Sequence, residues 1–188
     1  MRGEENMYFE KPGPENTLKT IELALEATKN DNVEYVVVAS NTGETAALLA
    51  KKNGGIGKIV CVTHAYGFKE KGKNEMTTEI RKKLEEDDVL VFTSSHVLSG
   101  VERGISKKSQ GMYPAEIMAN TLRMLGQGMK VCVEISIMAL DAGLVPYGEK
   151  IVAIGGSGTG ADTAVVITPS HANEVFATKI HRVICKPQ

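Results

Sequence analysis

The sequence holds no tryptophan, few aromatic residues, and three cysteines, Cys61, Cys132 and Cys185, with no CxxC pair among them. An odd, widely spaced set suits neither a disulfide framework nor a zinc ribbon. Cys61 in KIVCVT and Cys132 in KVCVEI sit among apolar neighbours and read as small buried hydrophobes. No apolar run approaches the roughly 20 residues that cross a bilayer. Twenty-two basic residues nearly balance 23 acidic ones, for a net charge of -1. With no block of like charge, nothing draws the chain toward nucleic acid or an anionic membrane. The opening MRGEENMYFEKPGPEN is charged and lacks an apolar signal segment. A cytoplasmic protein without nucleic-acid or membrane partners is the expectation. Two phosphate fingerprints are also missing: no Gly-x-Gly-x-x-Gly opens a helix after a strand, and no Gly-Lys-Ser/Thr closes a glycine loop.

What is present is alternation. TLKTIELALEATK, ETAALLAKKNGG, NEMTTEIRKKLEEDD and YPAEIMANTLRMLGQG carry apolar residues at helical spacing. Between and after them NVEYVVVAS, KIVCVTHAYGF, DVLVFTSSH, KVCVEIS and EKIVAIGG read as strands, the first as one covered on both faces. ISIMALDAGLVP reads as a further helix, and DTAVVITPS and KIHRVICKP as a closing antiparallel or edge pair. The pattern predicts one α/β domain over residues 1–188. It is a three-layer α/β/α sandwich with a mostly parallel sheet and an antiparallel C-terminal edge. SSHVLSGVERGISKKSQGM is the one long irregular stretch, read either as a lid or as a surface excursion.

In a parallel sheet the strand-to-helix loops leave from one edge, where ligands bind. That edge reads Ser40-Asn41-Thr42-Gly43-Glu44-Thr45, then Thr63-His64-Ala65-Tyr66-Gly67, then Thr93-Ser94-Ser95-His96, then Glu134 and Ser136, then Gly155-Gly156-Ser157-Gly158-Thr159-Gly160. The opposite connections, such as KNDN, EEDD and YGEK, are plain charged turns. Ser40 to Thr45 is the strongest element: three hydroxyls and a glycine stand where a helix presents unpaired amides and its positive dipole end. The reading is a phosphate socket, with Gly43 leaving space for the anion; the plain alternative is helix capping by Asn41 or Thr42. The Gly156–Gly160 loop is a second anion nest or a sharp turn. Asp162 beside it reads as a partner for a ribityl, ribose or sugar hydroxyl, or as a cap.

VVVASNTGETAALLAKKNGG resembles the C-terminal α/β domain of pyruvate kinases, in which a hydroxyl-rich turn of this form joins strand to helix. In some of those enzymes it holds a phosphate of an allosteric sugar bisphosphate. The chain as a whole resembles stand-alone archaeal proteins of this domain type. A catalytic β/α barrel takes about 250 residues, more than this chain has, so kinase activity is not implied. Ser-x-Thr-Gly-x-Thr is also similar to the FMN phosphate loop of flavodoxins, although those begin with this strand and here a helix precedes it.

FMN is therefore the favoured cofactor, with Tyr66, Phe68, Tyr113 and Tyr147 available for its ring. The partner is a phosphorylated small molecule, and a homo-oligomer is compatible with the apolar helix faces. An enzyme acting on a phosphorylated metabolite is the alternative, with His64 or His96 as acid/base; a sugar-phosphate-sensing regulatory domain is another. Arg103, Lys107 and Lys108 in the long segment are candidates to neutralise the phosphate. His64, His96 and Glu134 have no short-range ligand spacing, and no metal is assigned. His171 and His181 are read as structural.

Overall fold

The computed structural model describes residues 7–188, so the first six residues of the charged N-terminal stretch lie outside it. Seven strands form one sheet: β1 (Met7–Phe9), β2 (Tyr35–Ala39), β3 (Lys58–Val62), β4 (Val89–Phe92), β5 (Ile151–Gly155), β6 (Thr163–Thr168) and β7 (Lys179–Pro187). Six α-helices accompany them: α1 (Thr17–Asn30), α2 (Glu44–Asn53), α3 (Thr78–Glu86), α4 (Gly100–Ser109), α5 (Pro114–Arg123) and α6 (Gln127–Asp141). The strand order is β1-β7-β6-β5-β2-β3-β4. Strands β5, β2, β3 and β4 run parallel, while β6 is antiparallel to both β5 and β7. The mostly parallel sheet and antiparallel C-terminal segment expected from the sequence are both present.

Alternation along the central strands feeds two cores. Val36 and Val38 of β2 pack with Ile21, Leu25 and Leu49 from α1 and α2, whereas Val37 faces Val133 and Ile137 of α6. Burial on both faces is why these strands read as continuous apolar runs. The three layers are α1, α2 and α3, then the sheet, then α6 with α5 beside it.

Three expectations need correction. KVCVEIS is not a strand; it lies within α6, twelve of whose fifteen residues are buried. A helix packed on nearly all sides is apolar all round, and such a run cannot be told from a buried strand by periodicity. The supposed irregular stretch contains α4, which buries none of its residues. Its signal was the four-residue spacing of Val101 and Ile105, obscured by Gly100 and Gly104. Finally, Met7–Phe9 adds a parallel edge strand on β7, too short for its pattern to register.

Gly43 corrects a fourth reading. It precedes α2 with φ +95, and a Cβ there would run into Ile80 Cγ2 and reach Leu84 Cδ1 at 3.3 Å. Its missing side chain makes room for α3, not for an anion. Gly43→Ala is therefore expected to cost about 1–3 kcal/mol through left-handed strain, plus the displacement of Ile80. Urea denaturation measures it, and adding Ile80→Ala should relieve only the contact part.

Candidate functional site

Strand β2 is where the parallel chain path divides: β3 and β4 continue on one side and β5 lies on the other. Such a division opens a crevice beyond the strand ends. A cavity of about 390 Å³ occupies it. The turn after β2, residues after β3 and β4, the glycine loop after β5 and one side of α6 supply its walls.

The first wall is the turn into α2. Ser40, Asn41, Thr42, Glu44 and Thr45 all line the cavity. Ser40 Oγ accepts the Ala46 amide at 3.3 Å, so part of the turn's polarity caps the helix. Among the described residues, the backbone amides of Asn41 to Thr45 find no protein acceptor. Gly43, Glu44 and Thr45 carry the orphan donors that a helix start leaves, Asn41 and Thr42 belong to the turn before it, and all but Gly43 line the cavity.

Opposite stand two imidazoles. The register Ala39↔Val62 sets the end of β3 beside the end of β2, and Ser40 N donates to Val62 O at 3.0 Å. His64 therefore follows directly alongside the α2 turn. Its Nδ1 lies 2.6 Å from Glu75 Oε1. Phe68 tilts over the His64 ring at 3.9 Å between centroids, and His96 meets it edge-on at 5.4 Å. Burial holds His96 below the usual imidazole pKa; Glu134 pulls the other way, and His64, Lys130 and Arg103 add to the lowering. Thr63 lines the cavity too, although its hydroxyl is shared with Thr93 Oγ1 at 2.6 Å.

The third wall is built on α6, of which the sequence reading selected Glu134 but not its partner Lys130. Lys130 and Glu134, one helical turn apart, form an almost fully buried ion pair that borders the cavity. Glu134 Oε1 also accepts the Leu98 amide at 3.0 Å, which ties the segment carrying His96 to α6. Glu134 is thus a mid-helix brace and not a strand end. Arg103, a candidate from the long segment, lines the cavity from α4, joined by Lys69, Ser99, Arg123 and Gln127, which the sequence did not single out. Lys107 and Lys108 do not line it.

Across the crevice, Gly156, Gly158, Thr159 and Gly160 line the cavity. A Cβ on Gly156 would run into Gly160 O, so the two ends of the loop close only on glycine. Asp162 is fully buried outside the cavity. It accepts the Ser157 amide at 3.1 Å, the Gly13 amide at 3.3 Å and the Thr163 hydroxyl at 2.8 Å. It shapes the loop from behind. Ser157, Gly43, Tyr66, Gly67 and Ser94 also lie outside the lining, as do Tyr113 and Tyr147.

The family model for "pyruvate kinase, alpha/beta domain" matches residues 19–167. The chain belongs to the pyruvate kinase alpha/beta domain family. Solved structures similar to this alpha/beta domain include pyruvate kinases of Cryptosporidium parvum. One is 15% identical, with 80% of this chain and 22% of that enzyme covered at a TM-score of 0.42. Another, in complex with ADP, is 16% identical, with 88% and 23% covered at a TM-score of 0.41. The chain thus spans under a quarter of the length of these enzymes. Among the described residues no cluster of three or more His, Cys, Asp and Glu could hold a metal ion, and no helix is long and apolar enough to cross a membrane.

The three thiols are buried; burial pushes Cys61 up to about 12 and Cys185 to about 11. They are packing groups, as the sequence suggested for Cys61 and Cys132. The α6 pair offers a sharper test. Lys130→Met leaves Glu134 a buried charge without its partner and should destabilise by about 3–5 kcal/mol. Lys130→Met with Glu134→Met should recover most of that loss in chemical denaturation.

Proposed function

We propose that the cavity binds a phosphorylated small molecule, with the phosphate on the amides of the Asn41–Thr45 turn. The observation that carries this reading is the gathering of unspent donors on one cavity. Four residues with orphan amides, Asn41, Thr42, Glu44 and Thr45, border the same space as the Thr45 hydroxyl and the Arg103 guanidinium. Helix dipole, amides and guanidinium each favour a dianion, and they act together where water is partly excluded. The volume falls within the ordinary range of small-molecule pockets, about 300–1,000 Å³.

FMN is the first candidate. Phe68, His64 and His96 form a ring cluster on the cavity wall against which a flat ring would stack. Its ribityl hydroxyls would run along the polar glycine loop. A sugar phosphate is the second reading, favoured by the charged lining of Glu44, Lys69, Glu75, Arg103, Arg123 and Lys130. Either ligand would suit a sensor or regulatory role as well as catalysis.

Native mass spectrometry and an absorption spectrum of the purified protein separate the two readings, since retained FMN brings flavin bands and its own mass. Titration calorimetry with FMN, a sugar bisphosphate and inorganic phosphate then measures affinity. Thr45→Val, which keeps the side-chain shape, should weaken the phosphorylated ligand about tenfold. Failure of all three compounds to bind would overturn the reading.

A further inference from the structure

We propose that this cavity also transfers protons, with His64 as its general base, Glu75 as the residue that positions it, and His96 as the second imidazole. The proposal deepens the phosphate-ligand reading and rests on it for the identity of the reactant. Three geometric facts lead to it. Glu75 Oε1 lies 2.6 Å from His64 Nδ1, and a carboxylate there accepts the Nδ1–H. That fixes the tautomer, so Nε2 carries the lone pair. Among the described residues Nε2 has no protein partner, while the His64, Glu75, Phe68 and His96 side chains border one cavity.

A structural histidine usually has both nitrogens satisfied. Here one nitrogen is held by a largely buried carboxylate and the other is unspent. His96 stands edge-on at 5.4 Å and has no carboxylate hydrogen-bonded to its ring. The charged groups around the two rings are Glu75, Glu134, Lys130 and Arg103. The two imidazoles thus sit in unequal surroundings, and burial favours the neutral form of His96, which leaves it a hydrogen-bonding neighbour to the base.

The step needs no co-reactant. Nε2 takes a proton from an O–H or C–H of the bound phosphorylated molecule, leaving the bond's electron pair on that molecule. The imidazolium keeps its Nδ1–H toward Glu75. That proton then returns from the His64 imidazolium to another atom of the same molecule, so atoms and charge balance and nothing is oxidised.

Diethyl pyrocarbonate acylates neutral imidazole nitrogen and reports the free Nε2 directly. The full chain would be treated at pH 8, and the rate at each of its four histidines read by peptide mass mapping. His171 is an internal control, since Asp141 Oδ1 holds its Nδ1 at 2.7 Å outside the cavity. His64 should react faster than His181. Glu75→Gln should slow His64 about fivefold or more, Glu75→Asp should restore most of the rate, and His171 should not change. Millimolar inorganic phosphate should protect His64 and leave His171 exposed to reagent. A His64 no faster than His181, or indifferent to Glu75→Gln, overturns the proposal. A fast, Glu75-dependent His64 that phosphate does not protect upholds the base and instead contradicts the phosphate reading beneath it.

Discussion

Backbone donors at a helix start must be satisfied by something, and in this protein the turn into α2 leaves those of Asn41, Thr42, Glu44 and Thr45 to the cavity. The rest of the site is arranged around that constraint. Strand β2 ends beside β3 on one side and β5 on the other, so the turn into α2 opens onto the crevice and not onto bulk solvent alone. Ser40 takes the Ala46 amide and fixes the first turn; Gly43 lets α3 close over its back. The donors are thereby held in place by packing that leaves their front open.

The polar groups near the crevice divide by what they touch. Asp162 spends its oxygens on Gly13, Ser157 and Thr163, so it keeps the glycine loop in shape and offers nothing to a ligand. Glu134 spends its oxygens on Lys130 and Leu98 and anchors the segment that carries His96. Thr63 is occupied with Thr93, which Arg81 also contacts at 2.6 Å. Among the described residues, the cavity groups without a protein partner include the α2-turn amides, Thr45, Arg103, the His96 ring and the outer nitrogen of His64. Being buried and polar did not by itself mark a residue as a ligand contact.

The strand-end rule made much of this legible. Ser40, Asn41, Thr42, Glu44, Thr45, Thr63, His64, His96, Gly156, Gly158 and Thr159 all reached one cavity, because in a parallel sheet the loops leave from one edge. Tyr66, Gly67, Ser94, Ser157 and Asp162 share those loops but fall outside the lining, since position in a loop says nothing of direction. The contribution of α6 was hidden for a different reason. Read as a strand, KVCVEIS set Lys130 and Glu134 toward opposite ends; wound as a helix, it makes them partners at i and i+4. Glu75 stayed invisible because it reaches His64 across an excursion whose path no periodicity records.

The account stands or falls on the α2 turn. Amide proton–nitrogen correlation spectra of the full chain, recorded while inorganic phosphate and then FMN are added, test it most directly. Saturable shifts concentrated at the amides of Thr42, Gly43, Glu44 and Thr45, with inorganic phosphate and FMN competing for them, are the predicted result. Unchanged amides there, with shifts gathered instead at exposed Lys107 and Lys108 or elsewhere on the surface, would contradict it.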